Sequence, residues 1–361
     1  MKLGIIGSGR IAKRAVAELQ YVPELQITAV YNPSTLHGEE FARWIESVFA
    51  GGVELGNSKC SGATVDRMAV QAALDLEELA ELVDAVYIAS PHGTHFEYAR
   101  QMLELGRHVI CEKPMCFKAQ QVKALYELAA LKSVVLMEAV KTAYCPGFKK
   151  IEEVVRSGTI GEVADMEATF TRLTKPGCRE FDDVIWGGAF TEFGSYVMLP
   201  IFRFLGARSY QVEIKSIPAT TGVDGYTRAE FTFHGAKELG DQGNRVSSES
   251  ESLLGFASAR TGLTVKSEGQ LVISGTNGYI LVPSPWWLTR YFEVRFEDHM
   301  RVDRYDCEFE GDGLRYEFQE FVKRAKENVE EDRVLFSLEE SEVLARAEVY
   351  EKFLARRLNA K

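Results

Sequence analysis

The chain has 361 residues, 46% hydrophobic and 26% charged, with a formal net charge of −11. That length suits two domains, and an acidic balance without a basic block argues against nucleic acid or an anionic membrane as partner. No long uncharged apolar run is present, which argues against a membrane span, and the chain is strand-like from its first residues, which points to a cytoplasmic protein without a signal peptide.

The opening apolar run enters Gly7-Ser8-Gly9-Arg10-Ile11-Ala12, and a helical pattern (Ile11, Ala15, Val16, Leu19) leaves it. In this strand–turn–helix setting, G-x-G-x-x-[GA] is a dinucleotide fingerprint. Gly7 permits the tight turn, Gly9 lets the backbone approach a pyrophosphate, and Ala12 lets the helix lie close on the strand. The helix N-terminus then offers its N–H groups to the phosphates. Leu25–Tyr31 is the next expected strand, closed by Asn32-Pro33-Ser34, and 38–49 reads as helical. The stretch 51–66, rich in Gly, Ser and Asn, reads as an irregular excursion. A short helix follows over Leu76–Val83, then a buried strand Ala85–Ala89 ended by Ser90-Pro91-His92-Gly93. Thr94–Leu105 is helical, His108–Cys111 a strand stopped by Glu112-Lys113-Pro114, Ala119–Ala130 a helix and Val134–Met137 a strand. Such βα alternation predicts a parallel sheet with ligands at the carboxyl ends of its strands.

Near residue 145 the rhythm changes. A helix is expected over Pro146–Arg156, then strands at Val163–Thr171, Tyr210–Ile217, Ala229–Phe233, Leu254–Ala259, Leu263–Ser267 and Gln270–Ser274. Thr276-Asn277-Gly278 is a hairpin signal answered by Tyr279–Val282. The polar stretch 237–251 reads as a loop, and helices close the chain near Leu314–Lys326 and Leu338–Leu358. The expected architecture is α/β: a Rossmann domain over 1–140, then an α+β domain over 141–361 with a large, mostly antiparallel open sheet. The cysteines (Cys60, Cys111, Cys116, Cys145, Cys178, Cys307) have no metal-ligand spacing, so reduced thiols and no metal are expected.

The ordered set Gly7–Ala12, Ser90-Pro91-His92-Gly93-Thr94-His95, Glu112-Lys113-Pro114, Met137-Glu138-Ala139 and 187–196 resembles the glucose–fructose oxidoreductase / inositol dehydrogenase family of NAD(P)-dependent oxidoreductases. The resemblance implies hydride transfer between a carbinol of a sugar, cyclitol or diol and NAD or NADP, in a homodimer or higher homo-oligomer. It puts Lys113 near the nicotinamide and the substrate hydroxyl, often with a cis bond before Pro114. Loss of hydride from a carbinol carbon requires the hydroxyl proton to leave too, so a base or hydrogen-bonding cation must face that oxygen. Burial lowers a lysine pKa toward that task.

Glu192, Gly194 and Tyr196 stand at the family's second catalytic motif, with Leu199 in place of an acidic or amide residue. Glu192 and Tyr196 are four apart and share a helix face. The expected roles are Glu192 as substrate-hydroxyl acceptor and Tyr196 as partner of Lys113 or alternative acid/base. The other reading of Tyr196 is an aromatic core residue. The expected cofactor contacts are Gly7, Ser8, Gly9, Arg10, Ile11, Asn32, Pro33, Ser90, His92, His95, Glu112 and Lys113. No carboxylate ends the second strand to favour NAD, and no basic residue stands beside it to favour NADP. Lys141 and Tyr144 occupy a segment where the family carries other residues and are expected at the substrate cleft. A second functional reading stays open, a dinucleotide-binding regulatory sensor without turnover.

Overall fold

The structure is a computed structural model that describes residues 1–51, 69–207, 209–235, 253–327 and 333–359. The excursion expected over 51–66, from residue 52 on, and the loop expected over 237–251 lie outside the described residues. Two compact units form, Met1–Cys145 with Glu310–Ala347, and Pro146–Phe309 with Glu348–Lys361. The sequence suggested a single boundary, 1–140 then 141–361. Instead the first unit runs on to Cys145 and takes back a C-terminal segment.

The first unit contains β1 (Lys2–Ile6), α1 (Arg10–Leu19), β2 (Gln26–Tyr31), α2 (Thr35–Phe49), β3 (Gln71–Ala73), α3 (Leu76–Leu82), β4 (Ala85–Ile88), α4 (His95–Glu104), β5 (His108–Glu112), α5 (Ala119–Lys132) and β6 (Leu136–Ala139). The six strands pair in parallel in the order β3-β2-β1-β4-β5-β6. This is the doubly wound order, and it reverses between β1 and β4, where such sheets bind ligands. All four residues of β4 are buried, as expected of a strand covered on both faces. Local chemistry sets the helix starts. Ser34 accepts from His37 N, and Asp75 accepts from Glu78 N at 2.8 Å while Glu78 accepts from Leu74 N at 2.7 Å. The last strand begins two residues later than the sequence suggests, because α5 runs to Lys132 and Ser133 then turns left-handed at φ 54°.

The second unit contains α6 (Pro146–Arg156), β7 (Val163–Thr171), α7 (Arg179–Asp182), α8 (Ala189–Leu205), β8 (Tyr210–Pro218), β9 (Asp224–His234), β10 (Leu253–Gly262), β11 (Leu271–Gly275), β12 (Tyr279–Val282), β13 (Tyr291–Arg295) and β14 (Val302–Asp306). Its sheet runs β14-β13-β12-β11-β7-β10-β9-β8, with β7 and β10 parallel and the other neighbours antiparallel. The hairpin at Thr276-Asn277-Gly278 forms, with Ser274 opposite Tyr279. The strand expected over Leu263–Ser267 does not. The chain turns there, and Leu263 N and Thr264 N both bond Gly225 O. Helix α8 packs on β7, β9 and β10, where Ala229, Phe231 and Phe233 are buried. The sheet's other face carries the ion pairs Arg228–Glu230 (2.8 Å), Arg260–Glu167 (3.2 Å) and Arg295–Glu293 (2.6 Å).

Helices α9 (Leu314–Lys326) and α10 (Arg333–Asn359) close the chain. The first unit reclaims α9 for a physical reason. Glu18 of α1 is buried, and Arg315 meets its carboxylate with Nε at 2.9 Å and Nη2 at 3.1 Å. A buried carboxylate needs such a partner. Phe318 stacks edge-on against Tyr87 of β4, and Val343 and Ala347 join the core around β4 and β5. Among the described residues no helix is long and apolar enough to cross a membrane.

Candidate active site

In the first unit, the predicted residues gather at the carboxyl ends of β1, β2, β4 and β5. Gly7 adopts φ +101°, and a Cβ there would lie 2.7 Å from Ala89 O, so only glycine fits the turn. Its N–H bonds Tyr31 O at 2.9 Å, tying the turn to the end of β2. Gly9 caps α1 without a side-chain hydrogen bond, and an added Cβ would meet nothing within 4 Å. The helix therefore begins at an open, uncapped N-terminus with Arg10 exposed and Ile11 half-buried beside it. That arrangement fits a dinucleotide diphosphate, which uses N–H groups and the positive end of a helix dipole. Asn32 Nδ2 donates to Ser8 Oγ at 2.9 Å, while Asn32 Oδ1 accepts from Ser34 N at 2.9 Å. Asn32 thus joins the two loops, and the exposed Pro33 follows it.

Across the switch point, Thr94 Oγ1 donates to Ser90 Oγ at 2.7 Å. His95 is fully buried, with Nδ1 2.9 Å from Pro114 O and Nε2 2.9 Å from Ser90 O. It bridges the loop after β4 to the loop after β5. Burial holds its pKa below the ordinary 6.5, outweighing the two carbonyls, which favour the charged ring. His92 is buried against the rings of His95 and Phe117. Among the described residues no group of three or more His, Cys, Asp or Glu is placed to hold a metal.

Glu112-Lys113-Pro114 follows β5, and the Lys113–Pro114 bond is cis. Lys113 is only 8% exposed. Glu112 turns its carboxylate to Tyr87, whose hydroxyl donates to Oε1 at 2.6 Å. Burial raises the Glu112 pKa, against the pull of Lys113. Glu112 thus supports the strand end from below. Glu138 does the same from β6: Oε1 accepts from Met115 N at 2.9 Å and Oε2 accepts from Arg346 at 2.5 Å. The backbone on the far side of Pro114 is therefore pinned. Tyr87 and Arg346 are the residues that sequence reasoning missed here. A tyrosine in an otherwise aliphatic buried strand, and a glutamate in another, were the available signals, since both polar ends need partners.

Lys141 and Tyr144, expected at the substrate cleft, turn their polar ends to the C-terminal segment of the first unit. Both are buried; Lys141 donates to Asp312 O, and Tyr144 donates to Glu339 Oε1 at 3.1 Å.

In the second unit, Glu192 and Tyr196 form one half-exposed stripe of α8, while Phe193, Val197, Leu199 and Phe202 face the core. Leu199, at the family's acidic position, is 1% exposed. Glu192 accepts from Arg179 Nη2 at 3.0 Å. The Tyr196 ring lies 5.3 Å from Phe170, which is itself stacked between Phe193 (4.3 Å) and Trp287 (3.6 Å).

The model of an oxidoreductase family with an NAD-binding Rossmann fold, Gfo/Idh/MocA, matches residues 1–140. Over 338 residues the chain is 26% identical to the NADP+-dependent scyllo-inositol 2-dehydrogenase of Bacillus subtilis, covering 91% of this chain and 89% of that one. It is 25% identical over 354 residues to the human trans-1,2-dihydrobenzene-1,2-diol dehydrogenase, covering 96% and 94%. The fold is shared with a 3-ketoreductase of Actinomadura kijaniata in complex with NADP and TDP-benzene, at TM-score 0.72 and 20% identity, covering 97% of this chain and 96% of that one. The fingerprint turn, the strand order and the family match agree: residues 1–140 form the NAD-binding Rossmann fold of the Gfo/Idh/MocA oxidoreductase family.

Proposed function

We propose that this protein is an NAD(P)-dependent oxidoreductase acting on a CH–OH group of a small polyhydroxylated substrate, a sugar, cyclitol or diol. The observation that carries this reading is the pairing, in one unit, of an uncapped glycine turn at α1 with a buried lysine held rigidly at the end of β5. The named activities of the relatives, an inositol dehydrogenase and a dihydrodiol dehydrogenase, support the substrate class.

A nicotinamide nucleotide supplies the hydride acceptor or donor. Gly7, Ser8, Gly9, Arg10 and Ile11 would hold its diphosphate, with Asn32 and Pro33 toward the adenosine ribose and Ser90, His92 and His95 toward the nicotinamide end. The end of β2 has no carboxylate to repel a 2′-phosphate, so NADP and NAD are both admitted. Lys113 handles the proton at the carbinol oxygen: its amine takes the hydroxyl proton in oxidation, and its ammonium returns it in reduction. Glu112 and Glu138 keep Lys113 in place. In the second unit, Glu192 is the acceptor for a substrate hydroxyl and Tyr196 the second acid/base group.

Nicotinamide absorbance, followed with NAD+ or NADP+ and a panel of sugars, cyclitols and diols, tests this reading. We expect reduction with at least one carbinol substrate. Tight nucleotide binding without turnover across the panel would favour a dinucleotide-binding sensor, and absence of nucleotide binding would overturn both readings.

A further inference from the structure

Helix α8 carries Glu192 and Tyr196 in its first two turns, yet it begins without a cap of its own. Its N-cap is Gly188, at φ +112°, which has no side chain to accept from the helix's first N–H groups. The missing acceptor comes from another element. Asp224, the first residue of β9 and 4% exposed, accepts from Phe190 N through Oδ2 at 2.7 Å. The same oxygen accepts from Thr227 Oγ1 at 2.7 Å. The other oxygen stands against the bare face of Gly188, where a Cβ would fall 2.0 Å from Oδ1. Arg357 of α10 secures the chain leading in, donating to Gly187 O at 2.9 Å and Val184 O at 2.8 Å.

We propose that Asp224 is a positioning residue. It caps α8 in place of a side chain on Gly188 and sets how firmly the turn bearing Glu192 and Tyr196 is held. The proposal rests on the functional reading only for the roles of those two residues. Its physical content is an acceptor buried under a helix N-terminus. Burial holds the Asp224 carboxyl at about 6, against the two hydrogen bonds and the guanidinium of Arg357, the charged side chain acting on it. In a locally opened state its pKa returns to the ordinary 3.8. The closed state therefore binds the proton more tightly. Closure is favoured as pH falls through the interval between these values and relaxes as pH rises through it.

Amide hydrogen exchange on the full-length protein tests this, with rates over 190–196 normalised to intrinsic exchange. Wild type, Asp224→Asn and Asp224→Ala are compared. From pH ~5 to pH ~7 the wild type should lose about tenfold in protection across these amides. Asp224→Asn keeps an acceptor but no titrating charge, so it should stay protected with no pH step. Asp224→Ala should lose about five- to tenfold in protection at neutral pH, the usual effect of removing a helix cap. In turnover assays the Ala variant should raise KM and lower kcat with nucleotide affinity unchanged, and the Asn variant should restore both. Exchange needs neither nucleotide nor substrate, so it decides even if the functional reading fails. Wild-type protection in a folded Ala variant would overturn the proposal. So would an undiminished pH step in the Asn variant, which decides even where the Ala variant fails to fold.

Discussion

At the scale of single residues, Gly7 and Gly9 do different work although one motif contains both. Gly7 is fixed by its backbone, since a side chain would strike Ala89 O at 2.7 Å. Gly9 is fixed by what must approach it, because nothing in the protein lies within 4 Å of an added Cβ. Gly9→Val should therefore fold with nearly unchanged thermal stability and lose nucleotide binding. Calorimetric titration with NADH and NADPH checks this, and wild-type affinity in the folded variant would place the nucleotide elsewhere. His95 gives a pH signature. Its folded pKa lies below the ordinary 6.5, so beneath that value the unfolded chain binds the proton the folded one refuses. Stability from this residue is lost as pH falls through that range. Between pH ~7.5 and pH ~5.5 the wild-type melting temperature should drop more than that of His95→Asn, because the comparison cancels groups common to both chains. An equal drop would show that His95 binds its proton alike in the folded and unfolded chain, and a smaller drop that its two carbonyls hold it charged.

At the scale of elements, the glycine turn, the strand ends and the hairpin were legible because each rests on local chemistry. The helix over Pro146–Arg156 and the strand over Val163–Thr171 fall where proline, glycine and apolar spacing put them. β13 and β14 pair with their neighbours in sequence and escaped notice because each is only five residues long, although the alternation of β13, with Phe292 and Val294 buried, was readable. β14, Val-Asp-Arg-Tyr-Asp, has no buried residue and so no apolar alternation to read. On α8 the motif gave Glu192 and Tyr196, but the cap that holds them comes from Asp224, outside the motif altogether. The structure sharpens the two readings of Tyr196. It stands on the half-exposed stripe with Glu192 rather than on the face of Leu199 and Phe202. Tyr196→Phe keeps the ring packing on Phe170 and removes only the hydroxyl. Thermal stability should hardly change while turnover falls about tenfold or more and its pH profile shifts. Unchanged turnover in the folded variant would leave Tyr196 a packing residue.

At the scale of the whole molecule, composition and rhythm gave two units of the right kind, but not the return of α9 to the first. That return depends on a buried charge on α1 finding Arg315 almost three hundred residues later, a pairing no local pattern announces. The outer face of the eight-stranded sheet also differs from a simple apolar surface. Val272 and Leu281 lie on it half-buried, beside ladders of arginine and glutamate. Phe256 is exposed on the same face, so self-association through it would rest on charge together with apolar contact. We expect light scattering at micromolar concentration to give a dimer mass that shifts toward monomer as salt is raised, because exposed ion pairs are screened. A monomer mass at low salt would contradict this.

Lys113 decides the central point, since the proposed mechanism gives the proton transfer to its amine. Turnover and nucleotide affinity measured side by side for Lys113→Met separate its chemistry from binding. We expect turnover to fall by a factor of about 10² to 10⁴, as for loss of one general acid/base, with nucleotide affinity changed little. Turnover within a few-fold of wild type would remove Lys113 from the chemistry and contradict the proposed mechanism.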